Sequence, residues 1–353
     1  MNIEENISLA SHTTLGVGGR ARYYVEVKNK DELAKAVEWA KNNSLPVFIL
    51  GGGSNLLISD DGISGLVIKN LIMGREISSA GTFIEINAGA GENWHQLVEF
   101  AVANGLGGIE SLAGIPGTVG AAPVQNINAY GQGVDRVIKE VEVYDLLEGG
   151  FKILPKSACR FDYRTSIFKK EERGRYIVSS VVFRLEKGAK SEITYHNLLD
   201  YFKGRTPSLD EVKNAVLRIR SKKGMVILSG RDFLKSAGSF FINPAVEKKA
   251  AAKIKFRAAL CNSGDSSCCS EPWYWEQPGG KVKVSAACLL HMAGFKPGTR
   301  LGEVGISPRH ALAIVNHGGA KALEIKEFAD AIRLKIENEF GISLEAEPEF
   351  VGF

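Results

Sequence analysis

Val47-Phe48-Ile49-Leu50-Gly51-Gly52-Gly53-Ser54-Asn55-Leu56-Leu57-Ile58-Ser59-Asp60-Asp61-Gly62 passes from an apolar tetrad through a glycine loop into a second apolar stretch, and Leu66-Val67-Ile68 follows. The tetrad reads as a short buried strand. Glycines directly behind such a strand let backbone N–H groups approach a phosphate closely. In a dinucleotide fingerprint or a Walker loop, the next element is a helix whose N-terminus faces the phosphates. Here the order is strand, turn, strand, and the P-loop lysine is missing. Rossmann and P-loop domains therefore lose ground, and the loop in isolation fits an ordinary tight turn better than a ligand site. Gly16-Val17-Gly18-Gly19 also leads into a strand rather than a helix.

Working outward, Arg20–Val27 is rich in β-formers and reads as a strand. Asn29 and Glu32 have N-cap and N3 spacing, and Leu33, Ala36, Val37 and Ala40 recur on one helical face before Asn42-Asn43 and Pro46. A second amphipathic helix is marked by Trp94, Leu97, Val98, Ala101 and Val102 and stops at Asn104-Gly105. Residues 107–133 are loop-rich, strands are expected at 137–144 and 176–185, and helical spacing returns over Leu209–Lys222 and from Ile325 to Phe340. The Ser/Gly/Pro-rich stretch 261–280 reads as a surface excursion.

A chain of 353 residues is too long for one ordinary core, so two or three domains around a ligand are expected. The net charge of +4 is spread over interleaved signs, as in Lys169-Lys170-Glu171-Glu172-Arg173, which is a solvated face and not a nucleic-acid stripe. The first residues lack signal-peptide character and no apolar run reaches the ~20 residues of a bilayer span, so a cytoplasmic protein without membrane contact is expected. The five cysteines include no C-x-x-C pair and are expected to be free thiols, the vicinal Cys268-Cys269 among them. No His/Cys/Asp/Glu cluster has metal-ligand spacing, and neither His12 nor His95 is given a catalytic role.

A third loop tips the balance toward a ligand. Leu112-Ala113-Gly114-Ile115-Pro116-Gly117-Thr118-Val119-Gly120-Ala121-Ala122-Pro123-Val124-Gln125-Asn126-Ile127-Asn128-Ala129-Tyr130-Gly131 is too poor in bulky side chains to form a core, and it suits wrapping a long anionic cofactor. With this loop the chain resembles the UDP-N-acetylenolpyruvoylglucosamine reductase family. The resemblance is carried by His12-Thr13-Thr14-Leu15-Gly16-Val17-Gly18-Gly19, Leu50-Gly51-Gly52-Gly53-Ser54-Asn55, Ile115-Pro116-Gly117-Thr118-Val119-Gly120-Ala121-Ala122-Pro123 and Gln125-Asn126-Ile127. It continues through Arg160-Phe161-Asp162-Tyr163-Arg164-Thr165-Ser166-Ile167-Phe168, Ser236-Ala237-Gly238-Ser239-Phe240-Phe241-Ile242-Asn243-Pro244 and Leu344-Glu345-Ala346-Glu347, all in the family's order.

The resemblance implies an α+β chain. An FAD-binding fold of the vanillyl-alcohol oxidase / p-cresol methylhydroxylase type would occupy subdomains 1–70 and 71–225, followed by an α+β substrate-binding domain at 226–353. It implies FAD, NADPH and a UDP-sugar substrate, with Gly51, Gly52, Gly53, Ser54, Asn55, Gly117, Thr118, Gly120, Ala121, Asn126, Tyr130 and Gly131 at the cofactor. Arg164 matches the position that pairs with the substrate carboxylate. Glu347 matches a second stabiliser, expected to act as a neutral carboxyl that donates a hydrogen bond, with Glu345 and Glu349 as competing assignments on the same strand face. Ser239 matches the proton donor to the carbanion. Tyr195, Lys223 and Asn243 match positions that contact the substrate or the nicotinamide cofactor.

Two residues depart from the family pattern. Asn128 stands where Gly is usual, Asn being a residue that tolerates a left-handed conformation better than most, and Pro348 follows Glu347, where Val is commoner, and removes a strand N–H. Segments 227–235 and 261–280 match poorly. A flavin oxidase of the same fold and a catalytically silent FAD- or UDP-sugar-binding protein are the rival readings.

Overall fold

The computed structural model describes residues 1–226, 234–261 and 273–353. Cys268, Cys269 and most of the stretches 227–235 and 261–280 lie outside the described residues. The chain divides into two compact units with interleaved connectivity. The first takes Met1–Ile7, Ala21–Gly53 and the described residues from Ser64 to Val226; the second takes Ser8–Arg20, Ser54–Ile63 and the described residues from Leu234 to Phe353. Among the described residues no helix is long and apolar enough to cross a membrane.

In the first unit a four-stranded sheet has the order Ile3–Ser8, Arg20–Val27, Ile63–Asn70, Val47–Leu50, the last two parallel. Helix Lys30–Asn42 covers it through Leu33, Ala36, Val37 and Ala40, as the spacing predicts, and the Asn29 side chain caps it by accepting the Glu32 N–H. The larger sheet is antiparallel, in the order Phe151–Pro155, Ile138–Asp145, Tyr176–Lys187, Phe83–Gly89, Arg75–Ala80, with Leu106–Gly107 against Tyr176–Lys187. Trp94–Ala103 and Leu209–Lys222 pack on it, burying Trp94, Leu97, Val98, Val212 and Val216 in one core. The first of these helices stops where expected, the left-handed residue being Gly105 at φ +67. A full capping box between Ser208 and Glu211 starts the second.

The expected loop 107–133 is less irregular than its composition suggests. It holds a short helix, Ala121–Gln125, and a hairpin in which Asn128–Ala129 pairs with Gln132–Gly133. Asn128 sits in that hairpin as a strand residue without a positive φ, so its tolerance of a left-handed conformation is not called on. The positive φ values fall instead on Tyr130 (49°) and Gly131 (86°), the two turn residues, as a tight hairpin with matching twist requires.

In the second unit Ala245–Glu247, Lys281–Val284 and Tyr274–Glu276 form one small sheet and Arg300–Leu301, Val304–Ile306 and Ile314–Asn316 another. Leu56–Ile58 lies parallel to Glu349–Val351. Helix Ala322–Phe340 closes the core through Ile325, Phe328, Ala329, Ile332 and Ile336. Its first N–H groups, on Ala322 and Leu323, donate to the two carboxylate oxygens of Asp60 at 2.9 and 3.0 Å, a negative charge where the helix dipole favours one. Pro348 is accommodated by its place between two pairings. Glu347 N–H donates to Phe240 O and Glu349 N–H to Asn55 O, each at 2.9 Å, so the missing N–H falls where the chain changes partner.

Candidate active site

The glycine loops meet each other before they meet a ligand. A Cβ on Gly52 would lie 2.6 Å from Gly117 Cα, one on Gly51 2.9 Å from Thr118 Oγ1, and one on Gly120 2.7 Å from Ala90 Cβ. Lys69 Nζ donates to Gly51 O at 2.6 Å and fixes the first loop. Asn93 and Thr118 form a bridge, and the N–H groups of Val119 and Gly120 donate to Glu92 O and Ala90 O, each at 2.9 Å. Those two donors are thus committed inside the protein, and Gly120 contributes space rather than a free N–H. Gly52→Ala places a methyl against backbone rather than a flexible side chain. It is expected to destabilise by about 1–3 kcal/mol, read from the melting temperature.

The third loop is sewn to the hairpin that carries Arg164. Asn126 Nδ2 donates to Asp162 O and Ser166 Oγ to Val124 O, both at 2.8 Å. Asp162 and Thr165 exchange backbone hydrogen bonds at 3.0 and 3.1 Å, which leaves Tyr163-Arg164 as a two-residue turn with Arg164 at φ 56. Asn126 is itself left-handed, and its buried Oδ1 has no hydrogen-bond partner among the described residues. A buried acceptor of this kind fits a ligand that carries hydrogen-bond donors.

Three of the predicted residues, Tyr130, Arg164 and Lys223, gather around Arg220, which sequence reasoning missed. Arg220 is buried, and its Nε donates to Gly114 O at 3.2 Å while its guanidinium hydrogen-bonds Tyr130. Burial and then the nearby Arg164 hold its pKa below the usual arginine value, with Tyr130 opposing. Lys223 is likewise held below the ordinary lysine value, by burial first and then by Arg220. Tyr195 packs edge-on against Tyr130, the centroids 5.5 Å apart, and stays 36% exposed. Arg164 thus disfavours charge on Arg220, and Arg220 on Lys223, and an anion bound beside them would offset both the repulsion and the cost of desolvation. The available signal for Arg220 was its place four residues beyond Val216, on the core face of Leu209–Lys222.

The second unit holds the other predicted residues. Ser239-Phe240-Phe241-Ile242 runs antiparallel to Glu345-Ala346-Glu347, through Ile242 N–H to Glu345 O at 2.9 Å and Glu347 N–H to Phe240 O. Asn55 Nδ2 donates to Glu347 O at 3.0 Å, so Ser54-Asn55 and Glu347 are fastened together. Glu345 is exposed, whereas Glu347 and Glu349 are half-buried, which narrows the choice of carboxyl. Asn243 Oδ1 accepts the Ala286 N–H at 2.9 Å and so has a structural task at the start of helix Ala286–Met292. Arg164, Tyr195, Lys223 and Gly51–Gly53 thus belong to the first unit, and Ser54, Asn55, Ser239, Asn243 and Glu347 to the second. Cys159 is buried, and its thiol is pushed up to about 12, so it is un-ionised and no nucleophile at neutral pH.

Comparison with known proteins gives matches over both units. A family model described as an FAD binding domain matches residues 21–150. A second, described as the C-terminal domain of UDP-N-acetylenolpyruvoylglucosamine reductase, matches residues 231–351. A curated UDP-N-acetylenolpyruvoylglucosamine reductase from Thermobifida fusca is 39% identical, over 98% of this chain and 97% of the relative. One from Neisseria meningitidis is 37% identical, over 99% and 97%. The crystal structure of the reductase of that name from Thermus caldophilus superposes with a TM-score of 0.67 at 28% identity, covering 99% of both chains.

Proposed function

The chain belongs to the UDP-N-acetylenolpyruvoylglucosamine reductase family, and on that premise we propose that it reduces UDP-N-acetylglucosamine-enolpyruvate to UDP-N-acetylmuramate with NADPH, in peptidoglycan precursor synthesis. Membership makes it a flavin-dependent oxidoreductase with FAD as cofactor. FAD, when bound, would supply the hydride chemistry between reduced nicotinamide and the enolpyruvyl group. In this reading residues 1–70 and 71–225 are the FAD-binding subdomains, 226–353 is the substrate-binding domain, and the cofactor is held by Gly51–Gly53, Ser54, Asn55 and the 117–131 loop.

The protein's share of the reaction is orientation, charge and a proton. Arg164 pairs with the substrate carboxylate, where negative charge builds as the double bond is reduced. Glu347 is the second group assigned to stabilise the same fragment. Ser239 protonates the carbon next to the carboxylate. Lys223 offsets phosphate charge, and Tyr195 and Asn243 contact the substrate or the nicotinamide cofactor. The observation that supports this reading most directly is the row of cations in which Arg164 disfavours charge on Arg220 and Arg220 on Lys223, a repulsion that an anionic substrate would offset.

The test is NADPH oxidation by the yellow holoprotein, with and without the enolpyruvyl substrate, and product identification by mass. Flavin-containing protein that oxidises NADPH no faster with substrate would refute the proposal in favour of a silent binding protein. Oxygen consumption with an alcohol or sugar and no NADPH would favour an oxidase.

A further inference from the structure

His95 has no place in the chemistry above, yet it is buried one residue into helix Trp94–Ala103 and faces the loop that carries the cofactor residues. Its Nδ1 accepts the Gly114 N–H at 3.2 Å. The carbonyl of the same Gly114 accepts Arg220 Nε–H at 3.2 Å, and Arg220 hydrogen-bonds Tyr130. Gly114 has little freedom between them. It is left-handed at φ +70, and a Cβ there would come to 2.8 Å from Leu217 Cδ2 and 3.5 Å from Arg220 Nε. We propose that His95 is a positioning residue which, through Gly114, holds Arg220 against Tyr130, and that the hold requires the neutral imidazole. The proposal rests on the reading of Tyr130 and the 117–131 loop as flavin-binding.

An imidazole nitrogen that accepts an N–H carries no proton, so the ring proton is on Nε2, which lies 3.6 Å from Glu99 Oε1. Protonating Nδ1 would set N–H against N–H, and the Gly114 peptide would lose its acceptor. Arg220 then loses the geometry of the carbonyl that orients it. Charged groups on the surrounding elements favour the neutral ring on balance. Burial has the largest effect and lowers the His95 pKa; Glu99 on the same helix raises it, and Lys213 and Arg220 on Leu209–Lys222 lower it further. On the third packed element, Glu110–Leu112, the titratable group is Glu110, whose carboxylate accepts from Gly108 N–H, Gln132 Nε2 and Ser191 Oγ. The hold is therefore complete above the ordinary histidine pKa and is lost as pH falls through the lowered value in the folded protein.

The experiment measures flavin release from the full-length holoprotein after dilution, between about pH 5 and 8, for wild type, His95→Asn and His95→Phe. Asparagine places an amide oxygen near the position of Nδ1 and does not titrate; phenylalanine keeps bulk and removes the acceptor. Wild type is expected to hold flavin about tenfold less tightly at the acid end, the worth of one hydrogen bond. The Asn variant is expected to show no acid limb, and the Phe variant to bind about tenfold more weakly at every pH. A merely structural histidine would lower the melting temperature of both variants and leave the pH dependence of release unchanged. An acid limb in the Asn variant equal to wild type, or wild-type retention in the Phe variant, would overturn the proposal. Should the Asn variant not fold, the ring C–H resonance of His95 in wild type must titrate with the same midpoint as flavin release, and a different midpoint refutes the coupling. Flavin release needs no UDP-sugar, so failure of the proposed activity and failure of this inference are separate results.

Discussion

Replacing Arg164 by glycine is expected to lower kcat/KM for the enolpyruvyl substrate by about 10²–10³-fold, the usual loss when one charge-stabilising donor is removed. The stability of the fold should change by no more than about 1 kcal/mol, because two backbone effects oppose each other. Arg164 sits at φ 56 in the Tyr163-Arg164 turn, a conformation that a residue with a Cβ adopts at a cost and glycine adopts freely. Glycine in turn loses more entropy on folding, which offsets most of the relief. A large loss of activity beside an unchanged melting temperature would mean that the strained turn is kept for the guanidinium. Arg164→Lys separates charge from shape, since a point cation lacks the two-pronged geometry of a carboxylate clamp, and its activity should fall between the other two. An Arg164→Gly enzyme with wild-type kcat/KM would remove Arg164 from the site.

What was legible in the sequence was legible because its cause is local. Leu209–Lys222 is marked along its length by the helical spacing of Val212, Ala215 and Val216, and the structure has those bounds. Lys30–Asn42 is marked at its start as well, by Asn29 and Glu32. Arg75–Ala80 carries no such mark: its positions are almost all exposed, so no apolar alternation reveals it, and it is a strand because Phe83–Gly89 pairs with it. The turn helix Ala121–Gln125 was hidden in a loop of small residues for a similar reason.

At the site, polar residues buried for a purpose break the pattern that sequence reasoning uses. Arg220 and His95 both occupy core-facing positions of amphipathic helices, where a periodicity argument expects an aliphatic side chain. Their partners, a glycine carbonyl and N–H more than a hundred and about twenty residues away in the chain, can be found only from coordinates. The roles of Arg164, Ser239 and Glu347 had no local signature at all and entered through family resemblance. The structure adds the turn that carries the first and the strand pairing that brings together the backbones of the other two.

That pairing makes Ser239→Ala a clean test of the proton donor. The backbone around Ser239 is anchored without its hydroxyl: Glu347 N–H donates to Phe240 O, Ser236 O accepts the Thr14 hydroxyl at 2.7 Å, and Gly238 N–H donates to Ser236 Oγ at 3.4 Å. Removing one oxygen from a half-buried side chain should therefore cost no more than about 0.5 kcal/mol of stability. Turnover should nonetheless fall by about 10²–10⁴-fold, the range for losing a positioned acid. The two halves of the reaction distinguish a missing proton from a damaged site. Rapid mixing with NADPH should bleach the flavin of the variant at the wild-type rate, because that half needs no proton from Ser239. Reoxidation by the enolpyruvyl substrate should carry the whole defect. Turnover of the alanine variant within a few-fold of wild type would mean that the proton comes from elsewhere and that Ser239 is present for packing beside Gly238. A variant slow in both halves would instead place the serine in cofactor binding.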